Sequence, residues 1–308
     1  MPPAIRRFGG FLFDSPYLLL SLTSLFWAGN IVLGRFSAGH IPPVALSWIR
    51  WTGAFAIFIG FAWPYMRRDW RAIRAHPGIL LLISFFGISA YSAVSYYSQQ
   101  YTQAINALLI ASTGPLLVAG ATFALYRERP TLRQVFGVLL SLTGVLVVIC
   151  RGDFEIMRTL RFNAGDIGFF AAQIIYAFYT ALLRKKPEMH PFSFLAVIMG
   201  LGVLLLTPAY ALEIASGRTI VFDTTTVLTL IYMATLPSLV AYLFYNRGVE
   251  LIGPNRAAPF YHLIPIFGSV LAILLLGERP ELYHAIGYAL VLSGVAVATT
   301  RPAAARPV

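Results

Sequence analysis

The sequence has 308 residues, of which 58% are hydrophobic and 11% are charged, whereas a soluble domain has roughly 45–50% and about 25%. This composition excludes a water-soluble globular protein. The formal net charge of +11 does not indicate a nucleic-acid-binding protein, because the Arg and Lys residues form short clusters between apolar runs, the pattern of a cytoplasmic membrane face.

The chain begins with Arg6 and Arg7 ahead of an apolar run that no small-residue cleavage site ends, which is the pattern of an uncleaved signal anchor.

A helix needs about 20 apolar residues to cross a bilayer. Such windows cover residues 16–36, 44–65, 78–101, 104–126, 134–150, 164–183, 192–212, 226–246, 257–276 and 282–300. Because lipid cannot satisfy exposed backbone groups, each is predicted to be a helix. The sequence therefore predicts an all-α membrane protein with ten transmembrane helices.

Basic residues are distributed unequally between alternate connections. With the N-terminus inside, the cytoplasmic segments hold 16 Lys and Arg residues and the opposite face holds 6, while Arg50 lies within the second span. This bias predicts that the N-terminal segment 1–15 and the C-terminal tail 301–308 are both cytoplasmic. We expect a multi-pass protein of the bacterial inner (plasma) membrane.

The sequence repeats itself at an offset of about 150 residues, which is the mark of an internal duplication. The matching positions are Pro115 with Pro265, Glu128-Arg129-Pro130 with Glu278-Arg279-Pro280, Gly137 with Gly287, and Gly144 with Gly294. An odd number of spans per copy inverts the second copy in the membrane, as in many secondary transporters. We therefore predict two inverted five-helix repeats, residues 16–150 and 163–300, around a central cavity. A rigid scaffold is the alternative outcome of such a duplication.

These paired motifs resemble those of the drug/metabolite transporter superfamily, specifically its ten-helix EamA-type members, over essentially the whole chain. The resemblance implies a cavity between the two halves, alternating access and export of metabolites. In size and aromatic content the chain is most similar to the YddG-type aromatic amino-acid exporters. Pro115 and Pro265 are expected to be hinge or structural residues. Glu128 and Glu278, beside positive helix ends, are expected to be caps or latches, with a coupling role as the alternative.

Polar residues recur at helical spacing in spans 1, 3 and 4 and in their counterparts 6, 8 and 9, which we expect to face the cavity. For a hydroxyl, the alternative is a local bond to a carbonyl three or four residues back. For an aromatic ring, the alternative is a position at the membrane interface. The predicted substrate-binding residues are Trp27, Asn30, Tyr91, Ser95, Tyr97, Thr113, Gln173, Tyr176, Tyr242, Tyr245 and His262.

The residues of the spans also limit the substrate. No span contains a Lys and Arg50 is the only Arg clearly within one, so a site for phosphorylated sugars is disfavoured. Amide and hydroxyl groups suit a zwitterion, and aromatic walls suit an aromatic side chain. We therefore expect a carrier that exports aromatic and other neutral amino acids. The alternative is a multidrug or nucleoside-like metabolite exporter, and a drug carrier would need a carboxylate in the cavity.

Two titratable residues are candidates for proton coupling, His262 and Asp166. The alternative for His262 is a neutral, hydrogen-bonded histidine, and the alternative for Asp166 is a helix cap. Transport by exchange or facilitated diffusion also fits the sequence. The chain has no nucleophile elbow, zinc-protease motif or phosphate-binding loop, and its five histidines lack metal-ligand spacing. We expect no enzymatic activity, no cofactor and no metal, with a channel or structural subunit as the remaining rival. Ten helices can enclose a cavity alone, which favours a monomer.

Overall fold

The computed structural model describes residues 13–36, 40–221, 223–276 and 279–300, and this part of the chain is helical, without a β-strand. The predicted N-terminal anchor and C-terminal tail lie largely outside these residues. The long helices, numbered in chain order, are α1 (Pro16–Phe36), α2 (Pro43–Arg68), α3 (Pro77–Gln99), α4 (Ile105–Tyr126), α5 (Leu132–Ile149), α6 (Ala164–Lys185), α7 (Pro191–Ala215), α8 (Thr224–Ile252), α9 (Leu263–Leu276) and α10 (Leu282–Thr299).

Eight of these helices, α2 to α8 and α10, are long and apolar enough to cross a membrane. The chain is therefore a multi-pass membrane protein. The other two predicted spans coincide with α1 and α9, which are not among the eight. With 14 residues, α9 is shorter than the roughly 20 residues that a perpendicular span requires. The ten-span topology thus remains a prediction.

Prolines and side-chain caps fix where several helices begin. A proline at the first position has no N–H to leave unpaired, and its fixed φ suits the first turn. Such prolines begin α2, α3 and α7, at Pro43, Pro77 and Pro191. α5 begins instead with a capping box, in which Thr131 and Gln134 each accept a hydrogen bond from the other's backbone N–H.

Helices α5 and α10 pack closely and antiparallel through glycines. A Cβ atom built on Gly144 would lie 2.7 Å from the carbonyl oxygen of Gly287, and one built on Gly137 would lie 2.6 Å from that of Gly294. Only residues without a side chain allow this approach, which is the usual role of small residues between membrane helices. The backbones at this contact leave no room for a methyl group.

Helices α2 and α7 form a second antiparallel pair, in which each helix supplies a carboxylate to the first turn of the other. Glu213, near the end of α7, accepts hydrogen bonds from the backbone N–H groups of Val44 (3.3 Å) and Ala45 (2.7 Å). Asp69, just after α2, accepts one from the backbone N–H of His190 at 2.8 Å. Carboxylates at helix N-termini pair otherwise unsatisfied N–H groups and complement the helix dipole.

Two π-helical segments occupy corresponding places in α3 and α8. They are Phe85–Ala90 and Ala234–Val240. A third irregular segment, the 3₁₀ turn Ala258–His262, precedes α9. Segments of this kind leave backbone carbonyls free for side chains and rotate the residues that follow relative to a regular helix. All three lie beside the centre of the protein, where they determine which side chains face inward.

Candidate functional site

A cavity of about 90 Å³ lies at the centre of the protein. Helices α1, α3, α4, α6 and α8, together with the 3₁₀ turn and the start of α9, supply its wall, and α2 contributes one residue. α5, α7 and α10 contribute none of the lining side chains. The lining residues are Trp27, Asn30, Arg50, Tyr91, Ser95, Tyr96, Gln99, Ala107, Leu108, Ala111, Phe169, Gln173, Tyr176, Tyr242, Tyr261 and Ile264.

Part of the cavity wall is a cluster of aromatic rings around Trp27. Its indole stacks on the Tyr261 ring, with ring centroids 5.5 Å apart and planes inclined by 11°. The Tyr245, Tyr176 and Tyr242 rings meet it at 5.2, 5.9 and 5.9 Å. Aromatic pairs at these separations attract one another beyond simple area burial, and a stack of this kind can accept another flat apolar group.

Two hydrogen bonds attach this aromatic cluster to the π-helical segments. The indole Nε1 of Trp27 donates to the carbonyl oxygen of Pro237 at 3.2 Å. The Tyr242 hydroxyl donates to the carbonyl oxygen of Gly87 at 2.9 Å. Each ring therefore binds a carbonyl in the opposite half of the chain. Because buried carbonyls without a partner are costly, these bonds fix both the rings and the irregular backbone.

Two phenol hydroxyls in the cavity wall are buried without a partner. The hydroxyls of Tyr176 and Tyr261 have no hydrogen-bond acceptor or donor of good geometry among the described residues. Buried polar atoms in native proteins nearly always have a partner, which is often water or a ligand. Both rings touch Trp27, so their hydroxyls are available to a solute that rests on the aromatic cluster.

The cavity also has polar lining residues, which include a buried cation. Arg50 is 4% exposed, and its guanidinium donates a hydrogen bond from Nη1 to the Tyr96 hydroxyl. The Nδ2 atom of Asn30 donates to the same hydroxyl at 3.2 Å. The Gln99 side chain donates to Ser95 at 2.9 Å. Arg50 is the one charged residue among the described side chains that line the cavity.

The cavity is small for a transport site. Ligand pockets typically have volumes of about 300–1,000 Å³, whereas this one, at about 90 Å³, has room for a few water molecules. Binding of an organic solute therefore requires the rings or the two halves of the wall to move apart. A wider depression of about 850 Å³ opens beside it, between the N-terminal ends of α2 and α6 and the C-terminal part of α3.

Most of the predicted binding residues meet at the cavity. Seven of them line it, namely Trp27, Asn30, Tyr91, Ser95, Gln173, Tyr176 and Tyr242. Tyr245 lies behind the aromatic cluster, where its hydroxyl is 2.9 Å from that of Thr180. Its ring is almost fully buried and packs on Trp27 rather than facing the open space.

Two predicted residues lie elsewhere. Tyr97 is half-exposed, lines the wider depression and packs on Tyr101, with ring centroids 5.6 Å apart. Thr113 is not among the lining residues, and its hydroxyl donates to the carbonyl of Ile110 at 2.7 Å. This is the local hydroxyl-to-backbone bond that competes with any ligand contact.

His262 is fully buried and turned away from the cavity. Its Nδ1 atom is 2.6 Å from the Ser141 hydroxyl on α5, and its Nε2 atom is 2.8 Å from the carbonyl oxygen of Ser112. A regular helix would place His262 on the inner face, but the 3₁₀ turn before α9 has about three residues per turn. Tyr261 faces inward instead, and His262 connects α9 to α4 and α5.

The remaining predicted residues have structural contacts. Asp166 forms a capping box with Asn163 at the start of α6 and also accepts a hydrogen bond from Asn106 at 2.9 Å. Glu128 pairs with Arg184 at the protein surface. Glu278 lies outside the described residues. Pro115 lies near the middle of α4 and Pro265 in the first turn of α9, and their role as hinge or structural residues stays a prediction.

Nine of the sixteen lining residues were not predicted, among them Arg50, Tyr96 and Tyr261. Arg50 is on a helix with few other polar residues, so no polar stripe indicates its direction, although a lone Arg inside a span is itself a signal of function. Tyr96 lies beside the predicted stripe of α3. Tyr261 was missed because the 3₁₀ turn changes which residues face the cavity. Among the described residues, no group of His, Cys, Asp or Glu side chains is arranged to bind a metal.

The sequence matches the model of the EamA-like transporter family over residues 14–150 and again over 163–300. A protein of Archaeoglobus fulgidus described as an uncharacterised transporter is 26% identical over 287 residues, spanning 92% of this chain and 97% of that protein. The uncharacterised transporter YyaM of Bacillus subtilis is 24% identical, spanning 92% and 93%. A solved crystal structure shares the fold with a TM-score of 0.72 and 19% identity, spanning 92% of this chain and 96% of the other.

Proposed function

Since the chain belongs to the EamA-like transporter family, which its sequence matches in both halves, we propose that it is a secondary transporter that exports aromatic and other neutral amino acids from the cytoplasm. Transport follows from the family, whereas the amino-acid substrate and the outward direction are the proposed parts. The observation that carries the proposal is the mixed lining of the cavity, which combines aromatic rings with amides, hydroxyls and a guanidinium.

The cavity draws its wall from both matched segments. Trp27 and Tyr91 belong to the first, and Tyr176, Tyr242 and Tyr261 belong to the second. A site between two halves of a carrier can open to either side when one half rocks against the other, which is alternating access. The aromatic rings suit the side chain of an amino acid such as phenylalanine, and the polar groups suit its charged groups.

The proposal includes the topology. Helices α1 to α10 form ten spans in two inverted repeats, residues 16–150 and 163–300, with both termini in the cytoplasm of a bacterial cell and one chain per transport unit. The excess of Lys and Arg in the predicted cytoplasmic segments supports this orientation. The π-helical segments in α3 and α8 and the reciprocal caps between α2 and α7 support the repeat, because each feature occurs once in each half.

The lining of the cavity argues against organic cations as substrates. A multidrug carrier for cations would need a carboxylate in the cavity, and none lines it among the described residues. The Asp166 carboxylate is used in the cap of α6. His262, whose two ring nitrogens are both hydrogen-bonded away from the cavity, is poorly placed to carry protons with the solute. Exchange or facilitated diffusion therefore agrees best with these contacts.

The test is efflux from liposomes. The purified protein is reconstituted into vesicles loaded with single radiolabelled amino acids, and efflux is followed with and without a pH gradient. We expect saturable efflux of phenylalanine and other neutral amino acids. Trp27→Ala should abolish it, whereas Trp63→Ala, which removes an exposed ring from α2, should not. Efflux of no amino acid would overturn the substrate assignment, and linear, unsaturable flux would indicate a channel.

A further inference from the structure

The position of Arg50 is unusual for a charged residue in a membrane protein. It lies on α2, seven residues or about 10 Å from the first residue of that helix, Pro43. Its side chain is almost completely buried and lines the central cavity. Intramembrane cations are expensive to bury and are normally paired with an anion or with carbonyl groups.

Arg50 has no such anion. Among the described residues, no carboxylate lies within ion-pair distance of its guanidinium, and its Nε atom has no hydrogen-bond partner. Its neighbours are the Tyr96 hydroxyl, which accepts from Nη1, and the rings of Trp51 and Tyr96, whose centroids are 4.9 and 5.4 Å from Cζ. Rings and one phenol compensate a buried charge less well than a carboxylate does.

The unused donors of Arg50 have the geometry for a particular ligand. A guanidinium presents its N–H groups in a planar fork that matches the two oxygens of a carboxylate. We propose that Arg50 anchors the carboxylate of the transported solute, with Tyr96 as the positioning residue that holds the guanidinium. This proposal rests on the transport site proposed above and names the group by which that site recognises its substrate.

The rest of the cavity defines the remainder of the solute. Asn30, Ser95 and Gln99 add neutral polar groups to the same wall as Arg50, and the aromatic cluster around Trp27 supplies the apolar part of the lining. The solute is therefore a monocarboxylate with an aromatic or apolar body. A phosphate monoester, which is dianionic at neutral pH, would leave one charge uncompensated by a single buried cation. No described carboxylate faces the position of an amino group, so the carboxylate contributes more to recognition than the ammonium does.

The test compares L-phenylalanine with two probes that each lack one of its charged groups. These are L-phenylalaninamide, which lacks the carboxylate, and 3-phenylpropionate, which lacks the amino group. Binding to the full-length protein in detergent is measured for each by competition with radiolabelled probe. We expect the amide to bind at least tenfold more weakly than both acids, because hydrogen bonds to a charged group are worth about tenfold to hundredfold in affinity.

Variants test whether Arg50 causes the preference for acids over the amide. Arg50→Gln should reduce the acid-to-amide affinity ratio to about one, and Arg50→Lys should retain part of it, because the charge remains and the fork is lost. Tyr96→Phe should weaken acid binding while leaving a preference for acids. Arg158→Gln, which removes an exposed cation paired with Glu155 outside the cavity, should change neither value. Folding of each variant is checked by the melting temperature, read from the reactivity of the buried thiol of Cys150.

The outcomes separate this proposal from the proposed function. Equal binding of acid and amide by the wild type, or an unchanged ratio in Arg50→Gln, would overturn the role of Arg50 even if amino acids are transported. If Arg50→Gln does not fold, the same conclusion follows from an unchanged ratio in Arg50→Lys. Conversely, Arg50-dependent binding of 3-phenylpropionate without any amino-acid transport would support the carboxylate anchor and reject the amino-acid assignment.

Discussion

The indole Nε1 of Trp27 on α1 donates a hydrogen bond to the carbonyl oxygen of Pro237 on α8, 3.2 Å away. Pro237 lies in the π-helical segment of α8, and the equivalent segment of α3 has its Gly87 carbonyl bound by Tyr242. The aromatic cluster is thus held at two points by backbone groups that a regular α-helix would have used internally. The same contacts join the two halves of the protein across the cavity.

These two bonds are predicted to stabilise the fold measurably. Trp27→Phe and Tyr242→Phe keep an aromatic ring but leave a buried carbonyl without its donor, which costs about 1–3 kcal/mol. Both variants should therefore melt at a lower temperature than the wild type in detergent. Trp48→Phe is the control, because the bond to the Thr207 hydroxyl and the part of the stack on Tyr210 that it loses both lie outside the cavity. Equal melting temperatures for all three variants would show that the π-helical carbonyls do not need these donors.

The contact between α5 and α10 leads to a second prediction. Gly144→Ala would place a methyl group 2.7 Å from the Gly287 carbonyl oxygen, and because both atoms belong to packed backbones, we expect overpacking to destabilise the protein by about 1–3 kcal/mol. Gly120→Ala on the exposed face of α4 meets nothing within 4 Å and should stabilise its helix by about 0.5–1 kcal/mol.

The melting temperatures of both glycine variants can be measured from the thiol reactivity of Cys150 during heating, since the single cysteine is buried in the folded protein. We expect the melting temperature to be highest for Gly120→Ala, intermediate for the wild type and lowest for Gly144→Ala. A Gly144→Ala protein as stable as the wild type would mean that the two helices can separate without loss of packing energy. That result would contradict the close antiparallel contact.

The stability of the protein should depend on pH through His190, which precedes α7. Burial lowers the pKa of His190 below its ordinary value, although the nearby Asp69 carboxylate acts in the opposite direction. The folded protein therefore binds this proton less readily than the unfolded chain does. The sign follows from linkage: stability is retained above the unfolded pKa of about 6.5 and decreases as the pH falls below it.

We expect the melting temperature of the wild type to fall more between pH 7.5 and pH 5.5 than that of His190→Asn. Asparagine is the matched replacement because it can still accept the hydrogen bond that His190 receives from the backbone N–H of Phe192 at 3.2 Å. Carboxylates that titrate in this range are the same in both proteins, so the difference isolates His190. Identical pH profiles would exclude a contribution from this histidine.

Some features of the site were predictable from residue spacing. Trp27 and Asn30 are three residues apart on α1, and Tyr91 and Ser95 are four apart on α3, so a regular helix places each pair on one face. All four line the cavity. Tyr97 was assigned to the same face, but it lies about 160° around α3 from Ser95, given roughly 100° per residue. The depression that it lines is therefore a different one.

Arg50 and His262 illustrate what spacing does not reveal. The sequence identifies both as polar residues inside or near spans, but it does not say what surrounds them. His262 is satisfied by Ser141 and by a carbonyl on α4, which are 121 and 150 residues away in sequence. Arg50 has no acidic partner in the described structure and lines the cavity. Whether a buried polar group is paired depends on which helices meet there, and that is a tertiary property.

The sequence by itself determined that this is a helical membrane protein, because apolar runs of sufficient length have few alternatives to a spanning helix when lipid offers no hydrogen bonds. It also determined the family resemblance and most of the helices that face inward, since both depend on motifs and local periodicity. The tertiary structure decided the register after the π-helical and 3₁₀ segments, the small size of the cavity and the isolation of Arg50. These depend on contacts between residues far apart in the chain, and local helical periodicity carries no information about them.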